Sequence, residues 1–227
     1  MENLTAKLIP IDKGSETIIL LHGLFRTSRS MNKAGELLAA YGYNIINVDY
    51  PSRSADIGAL AQQYIGQALK QCATEGVKKI HFLTHSMGGI LLRDYLANQA
   101  IDKLGRVVML APPNQGSEVV DKLGSWRLFY YLNGPAGLQL GTGSNSVPNR
   151  LGPVNFQLGV IAGSKTANPF LSRLIPDVND GKVSVSRAQV AGMQDFIVMP
   201  YSHPFIMRRV AVIEQALHFI QQGYFAR

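Results

Sequence analysis

The 227-residue chain contains a single cysteine, Cys72, and a single tryptophan, Trp126. One thiol cannot close an internal disulfide or build a paired-cysteine metal site, so disulfide-stapled scaffolds and zinc ribbons are excluded. Charged residues make up only 16% of the sequence, too few for a chain that stays disordered through charge repulsion. Long apolar runs are lacking as well. Nothing approaches the ~20 residues of a membrane-crossing helix, and residues 1–14 hold no apolar stretch of the kind a secretory leader needs. The expectation is a soluble chain in a reducing, cytoplasmic setting, with the proviso that a leader removed beforehand would leave the same sequence. Acidic residues are the minority, 15 against 22 basic, giving a net charge of +7. That excess raises nucleic acid and anionic membrane as partners. At this length one α/β domain over 1–227 is the default, with a core that removes roughly 70% of the unfolded chain's surface from water.

What the sequence does hold is a regular alternation. Thr17–Leu21 is an unbroken apolar and β-branched run, the pattern of a strand buried on both faces. A helix is expected from Met31 to Tyr41, a strand over Asn44–Val48, and a helix from Asp56, placed as its cap, to Thr74. Lys79–Thr84 reads as strand, Met87–Gln99 as helix and Arg106–Leu110 as strand. This rhythm indicates βαβ units, a mostly parallel sheet with helices on both faces. It breaks after Pro113. Residues 114–153 read as an insertion over the sheet, with Trp126, Phe129, Tyr130 and Tyr131 either lining a pocket or lid or packing an insertion helix onto the domain. Strands are expected again over Phe156–Ala162 and Phe196–Met199, then a last helix from Pro204 to Gln222 with Gly223 as its stop.

The chemistry gathers at Thr84-His85-Ser86-Met87-Gly88-Gly89, between the third strand and its helix. A serine on such a sharp turn is held above the sheet at the positive end of the helix, where a nucleophile would be placed. Glycines let strand and helix backbones crowd together there. Gly88 and Gly89 serve on the helix side, whereas Thr84 stands where a glycine is usual on the strand side.

With His22-Gly23-Leu24 after the first core strand and His85-Ser86-Met87-Gly88-Gly89 at the turn, the chain resembles the α/β-hydrolase superfamily, in its lipase and esterase branch. The resemblance runs from Thr17 to Gly223 in element order as well as motif. It implies a serine hydrolase with the order serine, acid, histidine along the chain, each in a loop after a strand. His203 suits the base because it follows a strand and precedes the last helix, whereas His218 falls mid-helix. Asp177, Asp180 and Asp195 are the candidate acids. Asn179-Asp180-Gly181-Lys182-Val183 resembles the lipase D-G-x-V stretch and favours Asp180, although Asp-Gly is also a common turn. The oxyanion donors implied are the backbone N–H groups of Met87 and Leu24, with Phe25 the runner-up. His22 is expected to brace its loop, His85 to pack on the turn, and residues 112–117 to shape a loop without doing chemistry.

The reading is a carboxylic ester hydrolase working through an acyl-enzyme, with no metal or organic cofactor. A thioesterase or acyltransferase with the same triad, or a hydrolase-fold binding module without turnover, remains open. The substrate is a small-molecule or lipid ester. Basic residues are scattered, with only Lys78-Lys79 and Arg208-Arg209 adjacent, and no nucleic-acid motif accompanies them. Nucleic acid is therefore not expected. Peripheral contact with anionic lipid, or an acidic substrate, is what a positive field would favour, with Arg26, Arg29 and Arg53 at the mouth of the site. The sequence leaves the oligomeric state open.

Overall fold

A computed structural model describes residues 16–124 and 127–227, and their side chains except those of 127–130. Six strands form one parallel sheet: β1 (Glu16–Leu21), β2 (Asn44–Val48), β3 (Lys79–His85), β4 (Leu104–Leu110), β5 (Leu158–Gly163) and β6 (Asp195–Met199), in the order β2-β1-β3-β4-β5-β6. The apolar runs are explained by burial on both faces. Ile19, Leu21, Phe82, Val107, Met109 and Val160 face one core. Their neighbours Ile18, Leu20, Leu83, Val108, Leu110 and Ile161 face another. Alternate residues of a strand point to opposite faces, so a strand covered on both sides must be apolar throughout.

One face is covered by α1 (Asn32–Ala40) and the C-terminal helix. The other is covered by α2 (Ile57–Leu60), α3 (Gly66–Thr74), α4 (Met87–Asn98) and part of the insertion. The expected helix from Asp56 to Thr74 is present but interrupted. Ala61–Ile65 forms a π turn, and Asp56 caps the start by accepting from the Ala59 N–H at 2.8 Å. The π turn keeps Leu60, Ala61, Ile65, Ala68 and Cys72 in one core, a register shift that a simple 3.6-residue spacing does not reveal.

The insertion holds α5 (Glu118–Leu123), α6 (Arg127–Leu138) and α7 (Val147–Arg150); α6 is broken at Gly134, whose φ is 66°. Trp126 lies outside the described residues. Short helices α8 (Pro169–Arg173) and α9 (Val185–Ala188) follow β5, and α10 (Val210–Gln222) closes the fold at Gly223. The last helix therefore starts later than Pro204. Residues Ile206–Arg208 form a separate 3-10 turn, and Arg209, in extended conformation at φ −85° and ψ 122°, breaks the path before Val210.

Register decides where the site lies. Leu21 pairs with both Val48 and Thr84, His85 with Leu110, Leu110 with Ile161 and Gly163 with Met199. The carboxyl ends of all six strands thus share one edge. The chain leaves β1 for the outer strand β2 and returns to place β3 on the other side of β1, creating a topological switch point, the usual location of sites in open parallel sheets.

Candidate active site

Ser86 connects β3 to α4 with φ 53° and ψ −124°. This is a sparsely populated conformation for an L-residue and costs on the order of 1–3 kcal/mol. The turn is feasible because α4 lies almost against β1. A Cβ at Gly88 would sit 2.7 Å from both the Leu21 and His22 carbonyl oxygens. The unusual Thr84 is accommodated from the helix side: it is fully buried, and a Cβ at Gly89 would approach its Oγ1 to 3.1 Å. Gly89 supplies the room that a glycine at the strand position would otherwise give.

The three residues named for the relay meet here. The Ser86 hydroxyl donates to His203 Nε2 at 2.9 Å, and His203 Nδ1–H donates to Asp180 Oδ2 at 2.7 Å. His203 and Asp180 are buried, and Ser86 is nearly so. Asp180 also makes the Asx turn that its sequence suggests, but with its other oxygen. Oδ1 accepts from the Lys182 and Val183 N–H groups, each at 2.9 Å, leaving Oδ2 for the imidazole. The backbone adds a second tie, His203 N–H to the Asp180 carbonyl at 3.0 Å. Asp177 is exposed, and its Oδ1 accepts from the Val178 N–H at 2.7 Å. Asp195 opens β6 and accepts from the Phe196 and Phe225 N–H groups and from Arg227.

Among the described residues, neither the Leu24 nor the Met87 N–H has an acceptor. Met87 is fully buried, and an unpaired buried amide is costly unless a ligand completes it. The runner-up Phe25 is removed by its own geometry: at φ 62°, its N–H donates to Ser52 Oγ at 3.2 Å. Ser52, which the sequence did not single out, thereby fixes the loop after β1. His22 braces the same loop as expected. Its Nδ1–H donates to the Gly23 carbonyl, Nε2 accepts from the Tyr50 N–H, and the ring stacks on Tyr50 at 3.9 Å. The Tyr50 hydroxyl donates to the His22 carbonyl, and burial raises its pKa.

His85 does more than pack. Its Nε2–H donates to the His203 carbonyl at 3.0 Å, joining the serine turn to the histidine loop. Burial first, then the proximity of His203, hold its pKa well below the ordinary value, so the ring is neutral. Residues 112–117 are tied to the acid turn through Ser117, whose Oγ–H donates to the Lys182 carbonyl at 2.6 Å. Arg93, also not anticipated, is buried on α4 and donates to the carbonyls of Asn114, Pro148 and Gly152, fastening the insertion to the domain. Burial pulls its pKa down to about 10.

Residues 18–213 match the model of the alpha/beta hydrolase family. The chain belongs to this family. Among solved structures, the mature lipase BlEst2 of Bacillus licheniformis is similar, with a TM-score of 0.68 and 20% identity over 88% of this chain and 90% of that one. The phospholipase PlaB of Legionella pneumophila in complex with thio-NAD gives a TM-score of 0.71 and 21% identity over 89% of this chain and 56% of that one. A metagenomic carboxyl esterase gives 0.69 and 18% over 89% and 69%. At these identities the likeness is one of fold. No curated protein matches in sequence. Among the described residues, no cluster of histidine, cysteine, aspartate or glutamate is suited to a metal ion. Among the same described residues, no helix is long and apolar enough to cross a membrane.

Proposed function

We propose that this alpha/beta hydrolase cleaves carboxylic esters by covalent catalysis at Ser86. The observation that carries the reading is the buried, continuous relay from Ser86 through His203 Nε2 and Nδ1 to Asp180. Ser86 Oγ attacks the ester carbonyl carbon as its proton passes to His203 Nε2. The carbonyl oxygen, now carrying the charge, takes the unpaired Leu24 and Met87 N–H groups, with the N-terminus of α4 adding its dipole. Collapse of the tetrahedral adduct breaks the bond to the alcohol oxygen, which leaves with the proton from His203. An ester between Ser86 and the acyl group remains. Water then repeats the sequence, giving its proton to His203 and releasing the carboxylic acid, while Asp180 steadies the imidazolium at both stages. Lipase, phospholipase and carboxyl esterase among similar folds support this choice of bond.

A fluorophosphonate probe and p-nitrophenyl butyrate test it. Labelling at Ser86, turnover of the ester, and loss of both in Ser86→Ala are expected. A wild-type protein that is neither labelled nor able to turn over the ester would refute the reading.

A further inference from the structure

A buried imidazole stands beside the relay without taking part in it. His85 ends β3 one residue before Ser86, pairs with Leu110 of β4, and is 2% exposed. Its Nε2–H donates to the His203 carbonyl at 3.0 Å, and the two rings lie 5.0 Å apart. The opposite edge of the His85 ring fills the side-chain space of Gly23: a Cβ there would come within 2.8 Å of Nδ1 and 3.3 Å of Cε1. Wedged in this way, the ring keeps its donor on the carbonyl. Nδ1 itself is buried with no hydrogen-bond partner among the described residues. An apolar side chain would fill the same space without that unpaired nitrogen, so packing alone does not account for an imidazole here. The Nε2–H bond does, because among the described residues the buried His203 has no other donor to its carbonyl.

What that bond does follows from what else holds the base. His203 is fixed to the acid loop at two points, Nδ1–H to Asp180 Oδ2 at 2.7 Å and backbone N–H to the Asp180 carbonyl at 3.0 Å. Neither tie sets the distance of the pair from Ser86. Among the described residues, two hydrogen bonds cross from the serine turn to the histidine loop: Ser86 Oγ–H to His203 Nε2 at 2.9 Å, and His85 Nε2–H to the His203 carbonyl. The first lasts only while Ser86 keeps its proton. Once the serine is acylated its oxygen has no hydrogen to donate, and of the two crossing bonds that of His85 alone is left. The second half of the reaction still needs the base in place. Water must give a proton to His203 Nε2 as its oxygen bonds to the acyl carbon, and the Ser86 oxygen must then leave with that proton.

We infer that His85 is a positioning residue for deacylation: its donor keeps His203 beside Ser86 in the acyl-enzyme, when the serine hydroxyl can no longer do so. This rests on the ester-hydrolase reading and deepens it. In the free enzyme the Ser86 hydroxyl shares the task, so acylation depends on His85 less. A displacement of about 1 Å in a reacting group can cost about 100-fold in rate, which sets the scale expected of the second step.

His85→Gln and His85→Met separate the hydrogen bond from the packing. Glutamine carries an N–H the same number of bonds from Cβ as imidazole Nε2, and methionine has the same length with no donor. Each protein is mixed with p-nitrophenyl butyrate, and decay of the butyryl-enzyme is followed by mass spectrometry alongside steady-state turnover. His85→Met should slow that decay by about ten- to a hundredfold, lowering kcat and KM together. Its kcat/KM and its rate of fluorophosphonate labelling, which report the first step, should stay within about threefold of wild type. His85→Gln should restore the decay to within about threefold of wild type. A simple loss of folded protein would instead lower kcat at constant KM. The inference is overturned if kcat/KM falls as far as kcat, if the butyryl-enzyme of His85→Met decays at the wild-type rate, or if the two variants are slowed alike. Where His85→Met is not labelled, His85→Asn, which withdraws the donor by one bond without a thioether beside Gly23, takes its place with the same expectation. Absent labelling in both also overturns the inference, because His85 is then needed before acylation. A wild-type protein that is neither labelled nor active on the ester brings down the ester-hydrolase reading itself.

Discussion

Replacing Asp180 by asparagine changes one atom and almost no volume, yet the structure dictates which way the amide must face. Oδ1 accepts two backbone N–H groups, from Lys182 and Val183, each at 2.9 Å. An NH2 group in that position would point hydrogens at hydrogens, leaving unpaired the buried Val183 donor, at a cost of about 1–3 kcal/mol, and the partly buried Lys182 donor as well. The asparagine oxygen must therefore occupy the Oδ1 position, and its NH2 must take the place of Oδ2, facing His203 Nδ1. That nitrogen can then only accept, so the imidazole proton moves to Nε2, where it points at Ser86 Oγ and cannot receive the serine proton. The base is present, correctly placed, and in the wrong tautomer. The expected outcome is a fall in kcat of about 10³- to 10⁴-fold, or roughly 4–5.5 kcal/mol of barrier, with little change in the thermal midpoint. p-Nitrophenyl butyrate turnover measures the first and differential scanning fluorimetry the second. Retention of more than about a tenth of wild-type kcat in a folded Asp180→Asn protein would show that the imidazole tautomer is not set by Asp180.

Gly88→Ala should destabilise the protein by about 2–3 kcal/mol and slow Ser86 labelling, because its Cβ meets two backbone oxygens at 2.7 Å that cannot turn aside as a side chain could; a wild-type urea midpoint would count against this. Arg93→Met should cost about 3 kcal/mol, since three carbonyls lose a charged donor, and an unshifted midpoint would mean water replaces the guanidinium without loss. The pKa values of His22 and His85 are both lowered from an ordinary 6.5 by burial, so the folded protein takes up fewer protons than the unfolded chain below that pH. Stability should therefore fall as pH drops below about 6.5, by up to ~1.4 kcal/mol per histidine per pH unit. Urea midpoints that hold level or rise between pH 7.5 and 5.5 would contradict it.

The parts legible in the sequence were those whose physics is local or periodic. Ile18 to Leu21 could be read as a doubly buried strand because both faces of β1 are covered. Ser86, Asp180 and His203 could be named because the serine turn and the Asp180-Gly181 stretch resemble those of lipases, with the order serine, acid, histidine that the resemblance implies, and the structure brings them within hydrogen-bond distance. What escaped depends on contacts between distant segments. Nothing near Phe25 announces that Ser52 occupies its amide, and nothing near Arg93 announces the Pro148 and Gly152 carbonyls that it reaches. Thr84 looked like a defect in the turn because the strand position was read without the compensating room at Gly89. The late start of α10 had the same origin: Pro204 is a good helix opener by its own propensity, but the chain must first carry His203 over the sheet edge and turn through Ile206–Arg208.

Ser86 and His203 are 117 positions apart, and the strands that carry them are separated in the sheet by β4 and β5. Closing a loop that long yields nothing until the intervening strands have docked in order. If Ser86 is the nucleophile proposed above, its reactivity toward an acylating probe is a timer for the end of folding. During renaturation, labelling of Ser86 should then return no earlier than the seating of β6, which brings His203 to it. A fragment ending before Asp195 lacks His203, so its Ser86 should be inert to the probe.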